Sequence, residues 1–433
     1  MSPARDQDAT SGMLQLPARA TLVLAIALIS LFAAAPSADA QTFDVIYRFT
    51  GTHGDGANST AGLVRDSAGN LYGTTSVGGN GAGTVFKLSL SQDGVWTETI
   101  LYTFNGSSDG AFPAGGLILD SAGNLYGTTT GTTGTVFRLT PAGEHTVLYA
   151  FCSLPDCADG TNPNGGLVRD AAGNLYGTTS LGGNPALCEE GCGTVYKVDP
   201  AGNETVLYSF CAVANCADGS FPIGGGVAFP EDGLVLDAAG NLYGTTPTGG
   251  NAGFCADDRG CGTVYKVDPS GNETVLHSFC SDAKCADGSY PDVGLTQDAA
   301  GNLYGTTESG GAHIHYGTVF KLDAVGNETV LHSFSGHPVF GPLYPSGLVL
   351  DAKGNLYGTT NFGGTFHQGS VFKVTKSGQA RTLYSFTGGR EGAPPGGGLV
   401  LDPAGNLYGT TEDGGYPHHC HTYGCGVVFK LTP

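Results

Sequence analysis

"GNLYGTT" at residues 69–75 returns at 123–129, 173–179, 240–246, 301–307, 354–360 and 405–411. A string that recurs seven times at spacings of 50 to 67 residues marks one structural unit used repeatedly, and that period suits a four-stranded propeller blade while exceeding most solenoid repeats. Each copy follows a short apolar run ending in Asp, such as "GLVRD" at 62–66. Each is followed by a Gly-rich loop, then by "GTVFKL" or a variant starting at Gly83, Gly134, Gly193, Gly262, Gly317, Gly369 and Gly426. A turn such as "DPAGN" then leads into a run like "ETVLYSF". The four runs, each about five to eight residues, are β-branched or aromatic and bounded by Gly, Asn, Asp and Pro, so they are assigned as strands A, B, C and D. Their weak in-out alternation fits blades that pack on both faces.

The two ends of the chain supply an independent test. The last repeat stops at a C strand, "GVVFKLTP" at 426–433, while "FDVIYRFTG" at 43–51 looks like a D run with no blade before it. The fold expected is all-β: a seven-bladed propeller of four-stranded antiparallel blades, closed by an N-terminal strand at 43–50 that completes the last blade and hides its edge. Residues 1–40 read as a signal peptide, because Arg5 and Arg19 precede the apolar run "ATLVLAIALISLFAAA" and "ADA" at 38–40 offers small residues for cleavage. Residues 41–433 are then a single propeller domain, with no transmembrane segment in the mature chain.

Composition narrows the partners. The chain has 73 Gly, 13% charged residues and a net charge of −20, which argues against nucleic acid or an anionic membrane, since either needs a basic patch. The expected protein is a secreted or periplasmic monomer.

The pattern "GNLYGTT…GGN…GTVFKL…ETVLYSF…DG…P" resembles the Gloeo-Verruco (GloVer) tandem repeat of exported bacterial choice-of-anchor proteins, and the likeness covers essentially the whole mature chain. What the resemblance implies is export and surface or extracellular display, without an established activity or catalytic residues. The chain departs from anchored members in showing no recognisable C-terminal sorting segment, which favours release or periplasmic residence. "GLVLDAAGNLYGTT" is also similar to the A and B strands of NHL-like and virginiamycin B lyase-like propellers, a likeness of fold that warrants no activity.

Within each repeat the A–B and C–D connections are short and constant, whereas the B–C and D–A connections vary. In an antiparallel blade the variable connections share one face of the disc, and that face is the candidate functional face. The twelve cysteines fall there as local pairs: Cys152 with Cys157, Cys211 with Cys216 and Cys280 with Cys285 in D–A loops, and Cys188 with Cys192, Cys255 with Cys261 and Cys420 with Cys425 in B–C loops. An even count in an exported chain makes disulfides the leading reading, each worth about 2 kcal/mol for so short a loop. Pairing between loops and zinc binding are the alternatives.

Histidines concentrate in three neighbouring B–C loops: His313 and His315 in blade five, His367 in blade six, and His418, His419 and His421 in blade seven. The residue after "GTT" is Glu308, Asn361 and Glu412 in those blades, so carboxylates end strand B beside histidine-bearing loops. Such a set binds ligand, does acid–base chemistry, or holds a divalent metal through His315, His367, His418 and His421. Against that stands the absence of any diagnostic metal or catalytic motif. The Asp of "DG" (Asp55, Asp109, Asp159, Asp218, Asp287) is better explained by turn capping than by a calcium ring. Phe229, Phe340, Tyr344, Phe362, Phe366, Tyr416 and Tyr423 add stacking surface to the variable face. The expected function is binding of an extracellular carbohydrate or envelope component; the alternatives are a metal-assisted lyase or hydrolase using His and Glu of blades five to seven, and a purely structural surface protein.

Overall fold

A computed structural model describes residues 41–433 apart from 53, 185–187, 189, 223–232, 251–254, 256–259, 313–314, 336–342, 417–419 and 421–423. Seven four-stranded antiparallel sheets follow one another along the chain. Blade one has Val64–Arg65, Leu71–Thr75, Thr84–Leu90 and Trp96–Thr103 as its A, B, C and D strands. Blade seven takes A, B and C from Val400–Leu401, Leu407–Thr411 and Val427–Thr432, and its outer strand from Thr42–Arg48 at the other end of the chain. Thr42 pairs with Thr432 and Arg48 with Val427, so the ring is closed by hydrogen bonds between its first and last strands.

Strand A is shorter than expected: only two residues join each ladder, as Val64 and Arg65 do opposite Tyr72 and Leu71. Both ends of the run are spent elsewhere. At its C-terminal end Asp66 leaves the ladder to cap the A–B turn, accepting from the backbone N–H and the side-chain amide of Asn70 (2.8 and 2.7 Å) and from the Tyr72 hydroxyl (3.0 Å). At its N-terminal end the A runs of different blades converge on the axis, where Gly62, Gly116, Gly166, Gly233 and Gly398 line one channel cavity of about 200 Å³. Some blades approach too closely there for a side chain: a Cβ on Gly115 would lie 2.5 Å from the Gly165 carbonyl oxygen of the next blade, and one on Gly233 2.2 Å from that of Gly166. Gly115→Ala is therefore expected to lower stability by about 2 kcal/mol, measured by urea unfolding with an unchanged m-value.

Blades are joined by an aromatic seam. The Phe that ends each D run meets the ring of the next blade's C strand edge-on, as Phe49 meets Phe86 at 5.1 Å and Phe151 meets Tyr196 at 4.8 Å. Edge-to-face geometry is preferred by the ring quadrupoles, and these rings are among the most buried side chains of the chain. The Gly of "LYGTT" makes space for them, since a Cβ on Gly73 would sit 2.6 Å from the Phe86 ring. The last Thr of that string bonds the first Thr of strand C, as Thr75 Oγ1 does with Thr84 Oγ1 at 2.8 Å, so the buried hydroxyls of the B–C pair satisfy each other.

A second, more polar seam lies beside the first. The aromatic near the end of strand D bonds the acid of the following D–A loop: Tyr102 donates to Asp109 (2.9 Å), Tyr149 to Asp159 (2.7 Å) and Tyr208 to Asp218 (2.7 Å). His277 Nε2 takes that place opposite Asp287 at 3.3 Å. The first residue of the next blade's D run packs against this pair and is usually Glu. Burial, with a nearby Asp, pushes Glu98 up to about 8 and Glu204 and Glu273 up to about 7; Glu328 rises to about 7 from burial and Asp287, against the pull of His277.

Candidate functional site

Antiparallel order sends the B–C and D–A loops to one face, and the first things placed there are the stabilising devices. The "DG" aspartates are largely buried and accept from protein donors, most fully at Asp159, which accepts from Tyr149, from the Ser153 N–H (2.8 Å) and hydroxyl (2.9 Å), and from the Leu154 N–H (3.2 Å). This is turn capping. Six disulfides join Cys152–Cys157, Cys188–Cys192, Cys211–Cys216, Cys255–Cys261, Cys280–Cys285 and Cys420–Cys425. In blade three the B–C and D–A staples touch, with Cys188 Sγ 3.8 Å from Cys211 Sγ.

Around the mouth of the channel the backbone does something unusual. One residue of the D–A loop, followed by proline in every case but Asn58, adopts a left-handed conformation in blades one to six although it is never glycine: Asn58 (φ 56), Phe112 (53), Asn162 (58), Phe221 (55), Tyr290 (57) and Tyr344 (47). Non-glycine residues pay for this conformation, and such strain concentrates where a side chain must be presented in a set direction. The carbonyl at this position accepts from the residue after "GTT", seen as Ser76 N–H to Asn58 (3.0 Å), Thr130 to Phe112 (3.1 Å), Glu308 to Tyr290 (2.9 Å) and Asn361 to Tyr344 (3.2 Å); Pro247 has no N–H to give, and Phe221 keeps the conformation with its own N–H on the Cys192 carbonyl (2.8 Å). In blade seven Glu412 bonds Pro394 instead (3.0 Å). Asn58, Phe112 and Asn162 each lie four positions before the glycine that lines the channel, so these paired positions ring its entrance.

The ring holds three of the residues expected from the sequence. Glu308 accepts a hydrogen bond from the Tyr344 hydroxyl, and burial raises its pKa despite that bond. Glu412 is raised by burial and by its neighbour Asp413. Asn361 is buried, while Phe362 beside it is exposed and meets Tyr344 edge-on at 5.8 Å. His315 and His367 are exposed on their loops. Among the described residues the groups close enough to share a metal ion are all cysteine sulfurs, and neither histidine joins them. His313, His418, His419 and His421 lie outside the described residues, as do Phe229, Phe340 and Tyr423.

Sequence reasoning overlooked Asn58, Phe112, Asn162, Phe221 and Tyr290. Their signal is legible in retrospect: four of them stand between "DGx" and Pro, and all stand two residues after the Gly of "DG" at a position that is either Asn or aromatic.

Among the described residues no helix is long and apolar enough to cross a membrane. The family model of the Gloeobacter/Verrucomicrobia repeat matches residues 30–234 and 230–433. No curated protein matches the chain. Solved structures similar to it include a gluconolactonase of Xanthomonas campestris, 15% identical over 87% of this chain and 96% of that one, with a TM-score of 0.42. A putative gluconolactonase is 13% identical over 91% and 92% of the two chains (TM-score 0.41). A luciferin-regenerating enzyme is 16% identical over 74% and 91% (TM-score 0.43). Likeness at this level carries no argument about chemistry.

Proposed function

The chain belongs to the Gloeobacter/Verrucomicrobia repeat family, and from that premise we propose that it is an exported, disulfide-stapled propeller that binds an extracellular ligand at the mouth of its channel. In this reading residues 1–40 are a signal peptide, residues 41–433 act as one monomeric domain, and the ligand is a carbohydrate or another envelope component. Six disulfides suit a protein that matures in an oxidising compartment.

The observation that carries the proposal is the strained ring. Six blades repeat one backbone conformation while the two side chains it presents change from blade to blade, between Asn, Phe and Tyr at one position and Ser, Thr, Pro, Asn and Glu at the other. Packing alone gives no reason to hold Phe112 in a left-handed conformation and leave it 45% exposed. Aromatic faces beside amides and carboxylates are what a sugar ring needs, stacking on its C–H face and bonding its hydroxyls.

A glycan array and a pull-down from envelope fractions test this. Wild type is expected to bind saturably, and Phe112→Ala with Tyr290→Ala to weaken binding at least about tenfold, since two aromatic contacts are worth roughly 1 kcal/mol each or more. Equal binding by the double variant, with its circular dichroism unchanged, sinks the channel mouth as the site.

A further inference from the structure

The polar seam between blades is broken at one place. At the other six junctions the residue that packs against the D-strand aromatic is bulky: Glu98, Glu204, Glu273 and Glu328, with His145 stacked on Tyr102 at 4.2 Å and Phe43 stacked on Tyr384 at 3.9 Å. Between blades five and six it is Ala380, and the connection "SGHPVFGPLYP" at 335–345 contains no acid to face His332. Two acids are thus missing from the same spot. What remains is a cleft of about 370 Å³, bounded by His332, Arg381, His367, Ala380, Phe334 and Phe372.

The lining has an unusual charge for this molecule. The chain as a whole carries −20, yet among the described residues no carboxylate lines the cleft, and one arginine and two histidines border it. Its floor is apolar, formed where Phe334 meets Phe372 edge-on at 5.1 Å. A volume of this size is in the range that takes small organic ligands.

We propose that this cleft binds a small carboxylate-bearing molecule, whose carboxylate stands beside His332 as Asp287 stands beside His277. The body of the ligand fills the space that glutamate fills at four other junctions, Arg381 supplies the positive charge, and His332, whose pKa burial lowers, offers a ring N–H. A charge-assisted bond from Arg381, with a ring N–H of His332 as a second donor, favours a carboxylate over a neutral molecule of the same shape. The site is separate from the channel mouth and does not depend on what binds there.

Titration calorimetry with glucuronate, lactate and benzoate against neutral glucose tests the proposal on the mature chain. At least one carboxylate is expected to bind saturably, and glucose at least about tenfold more weakly than glucuronate. Ala380→Glu restores the residue of the other junctions and is expected to abolish binding while leaving the melting temperature unchanged or higher. Arg381→Gln, a surface change that leaves the fold intact, is expected to weaken binding about five- to tenfold. Phe112→Ala, at the channel mouth, is expected to leave carboxylate binding as it is. The proposal is overturned if none of the three carboxylates binds saturably up to about 10 mM, if glucose binds as well as glucuronate, or if Ala380→Glu retains wild-type affinity.

Discussion

Removing residues 42–49 is expected to abolish the folded ring, giving insoluble protein or a chain without a cooperative melting transition. The strand is small but sits at the one seam where covalent continuity is absent. It covers the hydrogen-bonding edge of Val427–Thr432, and it brings Phe43 against Tyr384, Phe386 and Phe429 and Phe49 against Phe86. Losing the fully buried Phe49 costs about 3–5 kcal/mol and the half-buried Phe43 adds to it, a sum comparable with the whole stability of an ordinary domain. A bare edge strand would also template aggregation. The control is a variant that places residues 42–51 after Pro433 through a "DPAGN" turn, the C–D connection found at 199–203. Because Thr42 already pairs with Thr432, this rearrangement regenerates a continuous blade and is expected to restore cooperative unfolding near the wild-type temperature. A truncated chain that melts like wild type would show that the closing strand is dispensable.

Stability is expected to fall as pH rises from about 5 to about 8, a direction opposite to that of most carboxylate-rich proteins. Glu98 is pushed up to about 8, and Glu204, Glu273 and Glu328 to about 7. These groups keep a proton in the folded chain that they lose near the ordinary glutamate value when unfolded. The folded state therefore binds more protons across that window, its advantage is complete below the unfolded pKa, and it is lost as pH climbs through the folded values. The capping aspartates work the other way. Burial alone would raise Asp66, but the bonds from Asn70 and Tyr72 outweigh it and hold its pKa low, so its contribution is lost in acid. Melting temperature is thus expected to peak in mildly acidic buffer. For Glu98 the change between the two limits is about 2 kcal/mol after allowance for solvent screening of a partly exposed group. Glu98→Gln keeps an acceptor for Tyr47 and adds a donor toward Asp55, so it is expected to raise the melting temperature at alkaline pH and leave it unaltered near pH 5. Parallel pH profiles for variant and wild type would remove Glu98 as the cause.

The ring was legible because its information is local and repeated. "LYGTT" needs Gly for the aromatic ring of strand C, and its last Thr bonds a Thr or Ser of strand C in six blades and the Val427 N–H in the seventh, so blades under the same packing constraints keep the same letters. The closing strand was legible because "FDVIYRF" carries the aromatic pattern of every D run. Strand A was overestimated, since the crowding of Gly62, Gly115 and Gly166 at the axis is a property of seven blades together and leaves no trace in one. The left-handed ring escaped for a similar reason: the backbone of Phe112 is tied to Thr130 and to Ala82, both far away in sequence. Ala380 was hidden in a run that reads as an ordinary strand. It becomes meaningful only when its place is compared with Glu328 and its neighbour is found to be His332.

The pairing of Thr42 with Thr432 also fixes a direction. C–D connections and A–B turns share the constant face, so the ring's first and last residues emerge together on the side away from the variable loops. A tether, fusion partner or solid support attached at either point leaves the opposite face turned outward, and two attachments made there stand side by side without straddling the disc.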